Sequence, residues 1–334
     1  MSAPAPSMYS PAAKEIAQQL GLSMGKANLE AFADTLLALA KENRDVLAVT
    51  SDSRGSGKLG PFGAALPEQI VEMGIAEQNL VGVAAGLASA GKTVYAVSPA
   101  CFLTARALEQ IKNDVAYSNN PVKLIGISAG VSYGALGSTH HSLHDLAALR
   151  AINNLDVVVP ADNFETREVI RSIAERGKPV YVRFGKAPLY DLPNAVPFGI
   201  GKSRQIRDGR HVAFIATGET VVHALLAAES LKAGGISARV ISMHTIKPLD
   251  ADAVLAAARD CGAVITVEEH MVHGGLGEAC ASLLMQAGVQ AKFKIVGIPD
   301  EHTVTGRQAD IFRHYGITME GLAETALALL QARR

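Results

Sequence analysis

Hydrophobic positions first show a regular spacing between residues 28 and 41, where Leu29, Phe32 and Leu36 recur at intervals of three to four residues. This interval places the three side chains on one face of an α-helix. The apolar run DVLAVTSD follows and predicts a short strand that ends at Asp52, and the loop SRGSGKLGPFG comes directly after it. Open α/β sheets bind ligands at the carboxyl ends of their strands, so this loop is a first candidate site.

Short apolar strands continue to alternate with longer amphipathic helices along the chain. The next predicted strands are TVYAVSPA, VKLIGISAG, LDVVVPAD and PVYVRFGK, and the predicted helices between them include ARALEQIKNDVAYS and NFETREVIRSIAERG. The proline-rich stretch APLYDLPNAVPFGIGKS interrupts this pattern, which restarts with HVAFIATGET, AVITVEEH and FKIVGIPD. Alternation of this kind predicts mostly parallel sheets with helices on both faces.

The interruption divides the chain into two predicted domains. We expect an N-terminal arm over residues 1–25, a first domain over 26–188, a linker over 189–198 and a second domain over 199–334. A chain of 334 residues is long enough for two hydrophobic cores. The predicted fold class is therefore α/β, with two domains that each contain a mostly parallel sheet flanked by helices.

Composition and charge narrow the possible partners and compartments. Hydrophobic residues make up 49% of the chain and the formal net charge is −1, which gives no basic surface for nucleic acid. The three cysteines lie in apolar runs without metal-ligand spacing, which favours reduced thiols. No apolar run is long enough to span a membrane, and the first residues lack the order of a signal peptide. We expect a cytoplasmic protein.

Several candidate residues stand at predicted strand ends and should face one crevice. They belong to the Asp52 loop, the segment GIAEQN with Glu77, the turn before Phe102 and the loop SYGALGSTHHSLHD with His140 and His141. Taken alone, Glu77 could equally be a helix-capping residue, Phe102 could be a core residue, and one histidine could be bonded to backbone. Their convergence favours a functional site.

Two further motifs favour a structural interpretation. The stretch GGLGEA resembles a phosphate-binding loop but lacks the spacing of one, so close helix packing explains it better. His270 and His273 are three residues apart without a third ligand at metal spacing. We therefore predict no metal site on this chain.

A family resemblance joins these motifs in one order. The segments GIAEQNLVGVAAGLASAG, ARALEQIKNDVAY, GSTHHSLHDLAALRAINNLDVVVPAD, PVYVRFGK, EEHMVHGGLGEA and GIPDEHTVTG resemble the C-terminal half of transketolase over roughly residues 28–325. Within the family, the order of the motifs resembles the split transketolases, whose two halves are separate polypeptides. The resemblance implies a pyrimidine-binding domain of thiamine diphosphate enzymes followed by a transketolase C-terminal domain.

The resemblance implies thiamine diphosphate as cofactor and assigns three residues to it. Glu77 matches the glutamate that bonds N1′ of the cofactor's pyrimidine, where proton sharing activates the 4′-amino group to deprotonate the thiazolium C2. Phe102 matches the aromatic residue that stacks on the pyrimidine, and Asp52 matches an acidic residue near the cofactor. Glu77 is thus a catalytic as well as a cofactor-binding residue.

The resemblance also implies a substrate site, with departures from the family pattern. His140 matches the catalytic histidine beside the reacting carbonyl, Arg183 matches the arginine that holds the distal anion of the acceptor, and Ser56 could assist Arg183. Leu136 stands where the family has an acidic residue, and Ser128 stands where it often has a phosphate-binding histidine. Fewer polar groups for sugar hydroxyls and phosphate favour an unusual ketose or aldehyde substrate.

The diphosphate-binding half of the family's site is missing from the sequence. The family binds magnesium and diphosphate through a GDG motif and a downstream Asn pair on the N-terminal half, and the sequence contains neither. The resemblance therefore implies an obligate partner, an N-terminal transketolase subunit that holds most of the magnesium and diphosphate. We expect an α2β2 assembly and no activity from this chain alone.

Two alternatives remain open from the sequence. Within the same cofactor class, the chain could be the beta subunit of a 2-oxo-acid dehydrogenase or of an acyloin-forming complex, which the apolar Leu136 would suit. In another class, it could be a non-catalytic scaffold or regulator. Retention of Glu77, Phe102, His140 and Arg183 together favours the two-carbon ketol transferase, in which a ketose donates to an aldehyde.

Overall fold

The structure is a computed structural model that describes residues 7–193 and 198–332. Residues 1–6 of the predicted arm, 194–197 of the predicted linker and the last two residues lie outside the described part. The described chain forms two domains, each with a mostly parallel sheet flanked by helices, which confirms the predicted fold class.

The secondary structure of the first half alternates strands and helices as the hydrophobic pattern predicts. Its elements are α1 (Pro11–Gln19), β1 (Met24–Ala27), α2 (Asn28–Glu42), β2 (Val46–Thr50), α3 (Gly60–Ala65), β3 (Ile70–Glu72), α4 (Glu77–Ser89), β4 (Thr93–Pro99), α5 (Ala100–Arg106), α6 (Leu108–Gln110), a π-helical segment (Ile111–Tyr117), β5 (Lys123–Ile127), α7 (Asp145–Arg150), β6 (Asp156–Val158), α8 (Asn163–Ala174), β7 (Val180–Arg183) and β8 (Pro188–Tyr190).

The second half continues the alternation with longer helices at its end. Its elements are β9 (Arg204–Arg207), β10 (Val212–Ala216), α9 (Thr220–Lys232), β11 (Ala238–Ser242), β12 (Thr245–Lys247), α10 (Ala251–Asp260), β13 (Ala263–Met271), α11 (Leu276–Gln286), β14 (Lys292–Ile298), α12 (Gln308–His314) and α13 (Met319–Gln331). No helix in residues 7–193 or 198–332 combines the length and apolarity needed to cross a membrane.

The first sheet has seven strands in the order β12-β6-β7-β5-β4-β2-β3. Strands β6 to β3 in this order are parallel to their neighbours, while β12 joins the edge antiparallel to β6. Because β12 comes from the second half of the chain, the second domain contributes a strand to the first sheet. Side chains of β4, β5, β6 and β7 are almost all buried, as expected for a parallel sheet covered on both faces.

The second sheet has five strands in the order β14-β13-β10-β11-β9, of which only β9 is antiparallel among these strands. Helix α9 is buried on nearly every side, because it packs against this sheet as well as against α1 and α13, and α13 also contacts β13 and β14. Met8 and Tyr9, before α1, pack into the same core. The N-terminal segment thus attaches to the second domain, although it precedes the first.

The predicted helix ARALEQIKNDVAYS is divided in the structure. Helix α5 ends at Arg106, Ala107 leaves helical geometry with ψ 21°, and α6 then runs into the π-helical segment. A regular hydrophobic pattern continues through this break, so no local signal in the sequence marks it. The break leaves Arg106 at a helix end, where its side chain is able to reach a neighbouring helix.

Candidate functional site

Glu77 is the first residue of α4 and its side chain is only 3% exposed. The N-terminus of a helix favours a carboxylate, because unpaired backbone N–H groups give it partial positive charge. No side-chain cap bond forms at this helix end. The carboxylate instead accepts a hydrogen bond from Arg106, with 2.9 Å between Nη1 and Oε1. Its partner is therefore a cation from another helix and not the backbone of its own.

Arg106 also covers Phe102, which lies one turn earlier on α5. The guanidinium carbon is 4.1 Å from the centroid of the Phe102 ring, a cation–π distance. Phe102 is half-buried, so one side of its ring is free of the core. The sequence analysis missed Arg106, because the predicted helix began at residue 105 and did not include Phe102.

His140 continues this line of contacts from the loop between β5 and α7. Its ring lies edge-on to Phe102, with 5.2 Å between the centroids, and edge-on to Tyr133, with 5.4 Å. Nδ1 of His140 lies 2.9 Å from the hydroxyl of Thr139, which leaves Nε2 for a ligand. His141 is buried instead, and its Nε2 lies 2.9 Å from the Gly134 carbonyl oxygen. Of the two adjacent histidines, His141 is buried and bonded to backbone, whereas His140 lies against the rings of Phe102 and Tyr133.

Lys186 ends the line. Its ammonium is 4.1 Å from the centroid of the Tyr133 ring. Partial burial, and then repulsion from Lys58, lowers the pKa of Lys186. Lys58, whose Nζ lies 3.5 Å from Glu30 Oε1, is thus close enough to act on Lys186, and an anion bound by Lys186 would relieve the repulsion between the two cations. The sequence analysis missed both Lys186 and Tyr133.

These side chains form one continuous series, which we call the contact row: Glu77, Arg106, Phe102, His140, Tyr133 and Lys186. They follow β3, β4, β5 and β7, whose carboxyl ends meet at one edge of the first sheet. This is the location at which α/β sheets bind ligands. Glu77, Phe102 and His140 were expected to converge, and the structure brings them together.

Arg183 lies outside the contact row and is only 4% exposed. Its Nη1 donates to Asp145 Oδ1 over 2.7 Å, and its Nη2 donates to the Glu269 carbonyl oxygen over 2.7 Å. Burial, the largest single effect, would raise the pKa of Asp145, but the charge of Arg183, the charge of His270 and the hydrogen bond from Tyr181 act together to hold that pKa below its usual value. Arg183 is thus fully engaged inside the protein, and its binding of a substrate anion stays a prediction.

Two buried carboxyl groups lie next to Arg183 at the boundary between the domains. The amide nitrogen of Gln308 donates to Oε2 of Glu219 over 2.9 Å and to Oε1 of Glu269 over 2.8 Å. Only glycine fits opposite them, because a Cβ at Gly185 would lie 1.7 Å from Glu219 and one at Gly130 would lie 2.2 Å from Glu269. We call Arg183, Asp145, Glu219, Glu269 and Gln308 the carboxyl cluster.

The carboxyl groups of Glu219 and Glu269 bind protons more tightly than free carboxyl groups. Burial, and then repulsion from Glu269, raises the pKa of Glu219 to about 8, and burial raises the pKa of Glu269 to about 7. Two like charges that share one donor in a dry site cannot both ionise easily. Near neutral pH at least one of these two groups therefore holds a proton.

Among the described residues, the side chains of the remaining predicted residues make no hydrogen bond, ion pair or ring contact with the contact row. Asp52 and Ser56 are on the exposed loop after β2, where the Asp52 N–H donates to Glu72 Oε1 over 2.6 Å. Leu136 is 55% exposed on a short turn before His140. Ser128 is fully buried, and its hydroxyl has no hydrogen-bond partner within residues 7–193 and 198–332. Roles for these four residues stay predictions.

The GGLGEA segment begins α11, and its N-terminus holds a carboxylate of the chain itself. Oε2 and Oε1 of Glu268 accept from the N–H groups of Leu276 and Gly277 over 2.7 and 2.8 Å. A Cβ at Gly277 would lie 2.5 Å from Ile295. The prediction of close packing is confirmed. Across the described parts of the chain, no three His, Cys, Asp or Glu side chains are grouped so as to hold a metal ion.

Two protein-family models match the chain in sequence. The pyrimidine-binding domain of transketolase matches residues 25–190, and the C-terminal domain of transketolase matches residues 201–322. Together they span most of the chain. Thiamine diphosphate is the cofactor that this family implies.

Similar proteins match over nearly their whole length. A subunit of the apulose-4-phosphate transketolase of Phocaeicola vulgatus is 48% identical over 90% of this chain and 97% of its own length. The 6-deoxy-6-sulfo-D-fructose transketolase subunit SqwH of a Clostridium species is 33% identical over 89% of this chain and 92% of its own. A solved split-gene transketolase, described as an inactive beta4 tetramer, is 36% identical with a TM-score of 0.83, and the match covers 93% of this chain and 100% of that one. The chain therefore belongs to the transketolase family, as the C-terminal subunit of a split transketolase and hence one part of a transferase.

Proposed function

We propose that this chain supplies the pyrimidine side of a thiamine diphosphate site and that the site transfers a two-carbon ketol unit from a ketose to an aldehyde. The contact row carries this proposal. It places an almost buried carboxylate, a half-buried aromatic ring, a histidine and a cation in sequence along one sheet edge. A cofactor ring, a reacting carbonyl and a distal anion need these groups in this order.

The residues present fit the cofactor's pyrimidine ring. Glu77 is 3% exposed, and its hydrogen-bond partner is a half-exposed arginine that can be displaced. Phe102 offers one ring face for stacking. When bound, thiamine diphosphate supplies the nucleophilic carbon that no side chain offers. In this proposal Glu77 holds the ring's N1′ and shares its proton, and Phe102 fixes the angle of the ring.

His140 is proposed to act on the substrate. Its Nδ1 faces the Thr139 hydroxyl at 2.9 Å, which orients the ring and leaves Nε2 towards the crevice. A histidine in this position donates to, or accepts from, the oxygen of the reacting carbonyl as charge develops there. Contact with Phe102 on one side and Tyr133 on the other keeps the imidazole at a fixed angle.

The proposed substrates carry an anionic group away from the reacting carbonyl. Lys186 and Lys58 are close enough to repel each other, and Lys186 follows His140 and Tyr133 in the contact row. The exposed Leu136 offers no hydrogen bond to a sugar hydroxyl. A phosphate or sulfonate on a ketose with few hydroxyl contacts suits these groups, and two relatives are named for apulose 4-phosphate and 6-deoxy-6-sulfo-D-fructose. Arg183, which pairs with Asp145, stays a predicted ligand of the same anion.

A partner subunit is proposed to complete the site. The sequence contains no GDG motif with a downstream Asn pair, so the magnesium ion and the diphosphate would be held mainly by an N-terminal transketolase subunit. We propose a cytoplasmic heterotetramer with two copies of each subunit. The solved beta4 tetramer supports partner dependence, since it is described as inactive.

The test is reconstitution with the partner that carries the GDG motif. The complex should transfer a two-carbon unit from a phosphorylated or sulfonated ketose only when thiamine diphosphate and magnesium are present, and each subunit alone should be inactive. Release of carbon dioxide from pyruvate would instead assign the chain to the 2-oxo-acid class. A complex that binds no thiamine diphosphate would contradict the proposal and favour a scaffold.

A further inference from the structure

Arg106 contacts both residues that the proposed function assigns to the pyrimidine ring. Its Nη1 donates to Glu77 over 2.9 Å, and its planar guanidinium lies 4.1 Å from the centroid of the Phe102 ring. A bound aminopyrimidine would make the same two contacts, a hydrogen bond to the carboxylate and a stack on the aromatic face. The guanidinium and the cofactor ring therefore compete for one place.

We propose that Arg106 is a placeholder for the cofactor: it neutralises Glu77 and covers Phe102 in the cofactor-free chain, and it moves out when the pyrimidine ring binds. This inference rests on the proposed function. A guanidinium suits the role because it is flat, permanently charged, able to donate to a carboxylate and able to stack on an aromatic ring. No other side chain combines these properties.

The side chain of Arg106 is free to leave. It is 47% exposed, it stands at the last residue of α5, and the chain departs from helical geometry directly after it. Within residues 7–193 and 198–332, Glu77 is its only hydrogen-bond partner. Arg183 shows the opposite arrangement, since it is 4% exposed and bonded to Asp145 and to two backbone carbonyl groups. An arginine with a purely structural role is expected to be buried and bonded on several sides, as Arg183 is.

Displacement of Arg106 affects two measurable quantities in opposite directions. The apparent affinity for the cofactor equals the intrinsic affinity multiplied by the fraction of chains in which the site is free. Removing the placeholder raises that fraction and should therefore tighten binding. The cofactor-free chain meanwhile loses the counter-charge of an almost buried carboxylate, so its stability should fall. A purely structural ion pair would lower stability without tightening cofactor binding.

The experiment is calorimetric titration of thiamine diphosphate with magnesium into the two-subunit complex, wild type against Arg106→Ala. We expect a dissociation constant lower by about fivefold or more, which corresponds to a placeholder present in most cofactor-free chains. Arg171→Ala, which removes an exposed arginine paired with Glu168, is the matched control and should leave the constant unchanged. Unchanged or weaker binding by Arg106→Ala would overturn the inference while leaving the proposed function intact.

A second measurement uses the isolated chain, which needs no partner. Arg106→Ala should lower its melting temperature, and the loss should largely disappear when Glu77→Gln is added, because no buried charge then remains unpaired. If Arg106→Ala fails to assemble with the partner, Arg106→Met is titrated in its place and the same fivefold criterion applies. If the wild-type complex binds no thiamine diphosphate, the proposed function fails, and the placeholder role fails with it.

Discussion

The contact row and the carboxyl cluster contain similar side chains, yet they are built in different ways. In the carboxyl cluster, Arg183 is bonded to Asp145 and to backbone, and Gln308 bonds two carboxyl groups at once. In the contact row, Arg106 has one hydrogen-bond partner among the described residues, Glu77, Lys186 lies over the ring of Tyr133, and the central aromatic rings are half-exposed. Buried polar groups that are largely paired with one another hold domains together, although Glu219 Oε1 has no hydrogen-bond partner among the described residues, whereas exposed groups with few contacts are available to a ligand.

The largest expected effect on the reaction follows from removing the carboxylate of the contact row. Glu77→Gln should lower the rate of the reconstituted complex by at least about 100-fold, since proton sharing with the cofactor ring is lost. Steady-state assays of ketol transfer measure the effect, and Glu109→Gln, an exposed carboxyl on α6, is the control. A fully active Glu77→Gln complex would contradict the catalytic role of Glu77 and with it the assignment of the contact row to the reaction.

Breaking the central ion pair of the carboxyl cluster should affect stability more than chemistry. Asp145 is fully buried and accepts from both Arg183 and Tyr181. Asp145→Asn leaves the guanidinium uncompensated and should cost about 3–5 kcal/mol of unfolding free energy, measured by urea denaturation. Arg44→Ala removes a partner of Glu68 in an almost fully exposed pair and should cost less than about 1 kcal/mol. Equal losses of unfolding free energy in the two variants would show that burial does not make the Asp145–Arg183 pair more important than the exposed Arg44–Glu68 pair.

The raised pKa values of the carboxyl cluster predict a pH dependence with a definite sign. Between about pH 4.5 and pH 8 the folded chain holds protons on Glu219 and Glu269 that the unfolded chain has released. Stability from this source is therefore present at low pH and is lost as the pH rises through this window. Across this pH window, Glu219→Gln should reduce the change in unfolding free energy, measured by urea denaturation, by on the order of 1–2 kcal/mol. If the slope of unfolding free energy against pH is the same in Glu219→Gln and wild type, the proposal that Glu219 and Glu269 hold protons in the folded chain is wrong.

The smallest expected effect concerns the cation at the end of the contact row. Lys186→Met should raise KM for an anionic acceptor by about tenfold and leave kcat nearly unchanged, because the group binds substrate and transition state alike. Initial rates with phosphorylated and neutral aldehydes separate this role from a structural one, since the neutral substrate should show no change. Arg183→Lys serves as the comparison: if it alone alters anion recognition, the assignment moves from Lys186 to Arg183.

Much of the fold and part of the site could be predicted from the sequence, and particular residues show why. The strand and helix pattern predicted the two α/β domains because buried parallel strands read as short apolar runs. The edge pairing of β12 with β6 joins residues 245–247 to residues 157–158, a contact that no local pattern encodes. Three-residue strands such as β3 and β8 are too short to show a period.

The residues of the site likewise fall into those that a sequence motif predicted and those that only the structure shows. Glu77, Phe102 and His140 could be predicted because each follows a strand and matches a motif of the family. Arg106, Tyr133 and Lys186 carry no motif, and their importance comes from contacts across loops that only the folded chain creates. Arg183 was selected because the motif YVRFGK matches the family, but whether its side chain turns inward depends on the second domain, which supplies the Glu269 carbonyl group.

Strand β12 has a consequence for any attempt to excise the first domain. A cut in the linker near residue 198 would remove residues 245–247 from the end of the first sheet. Strand β6, whose residues Asp156–Val158 are all buried, would then present an unpaired apolar edge to solvent. Unprotected edges of this kind recruit other strands and promote aggregation. A gene product shortened at the domain boundary should therefore precipitate unless residues 245–247 are supplied with it.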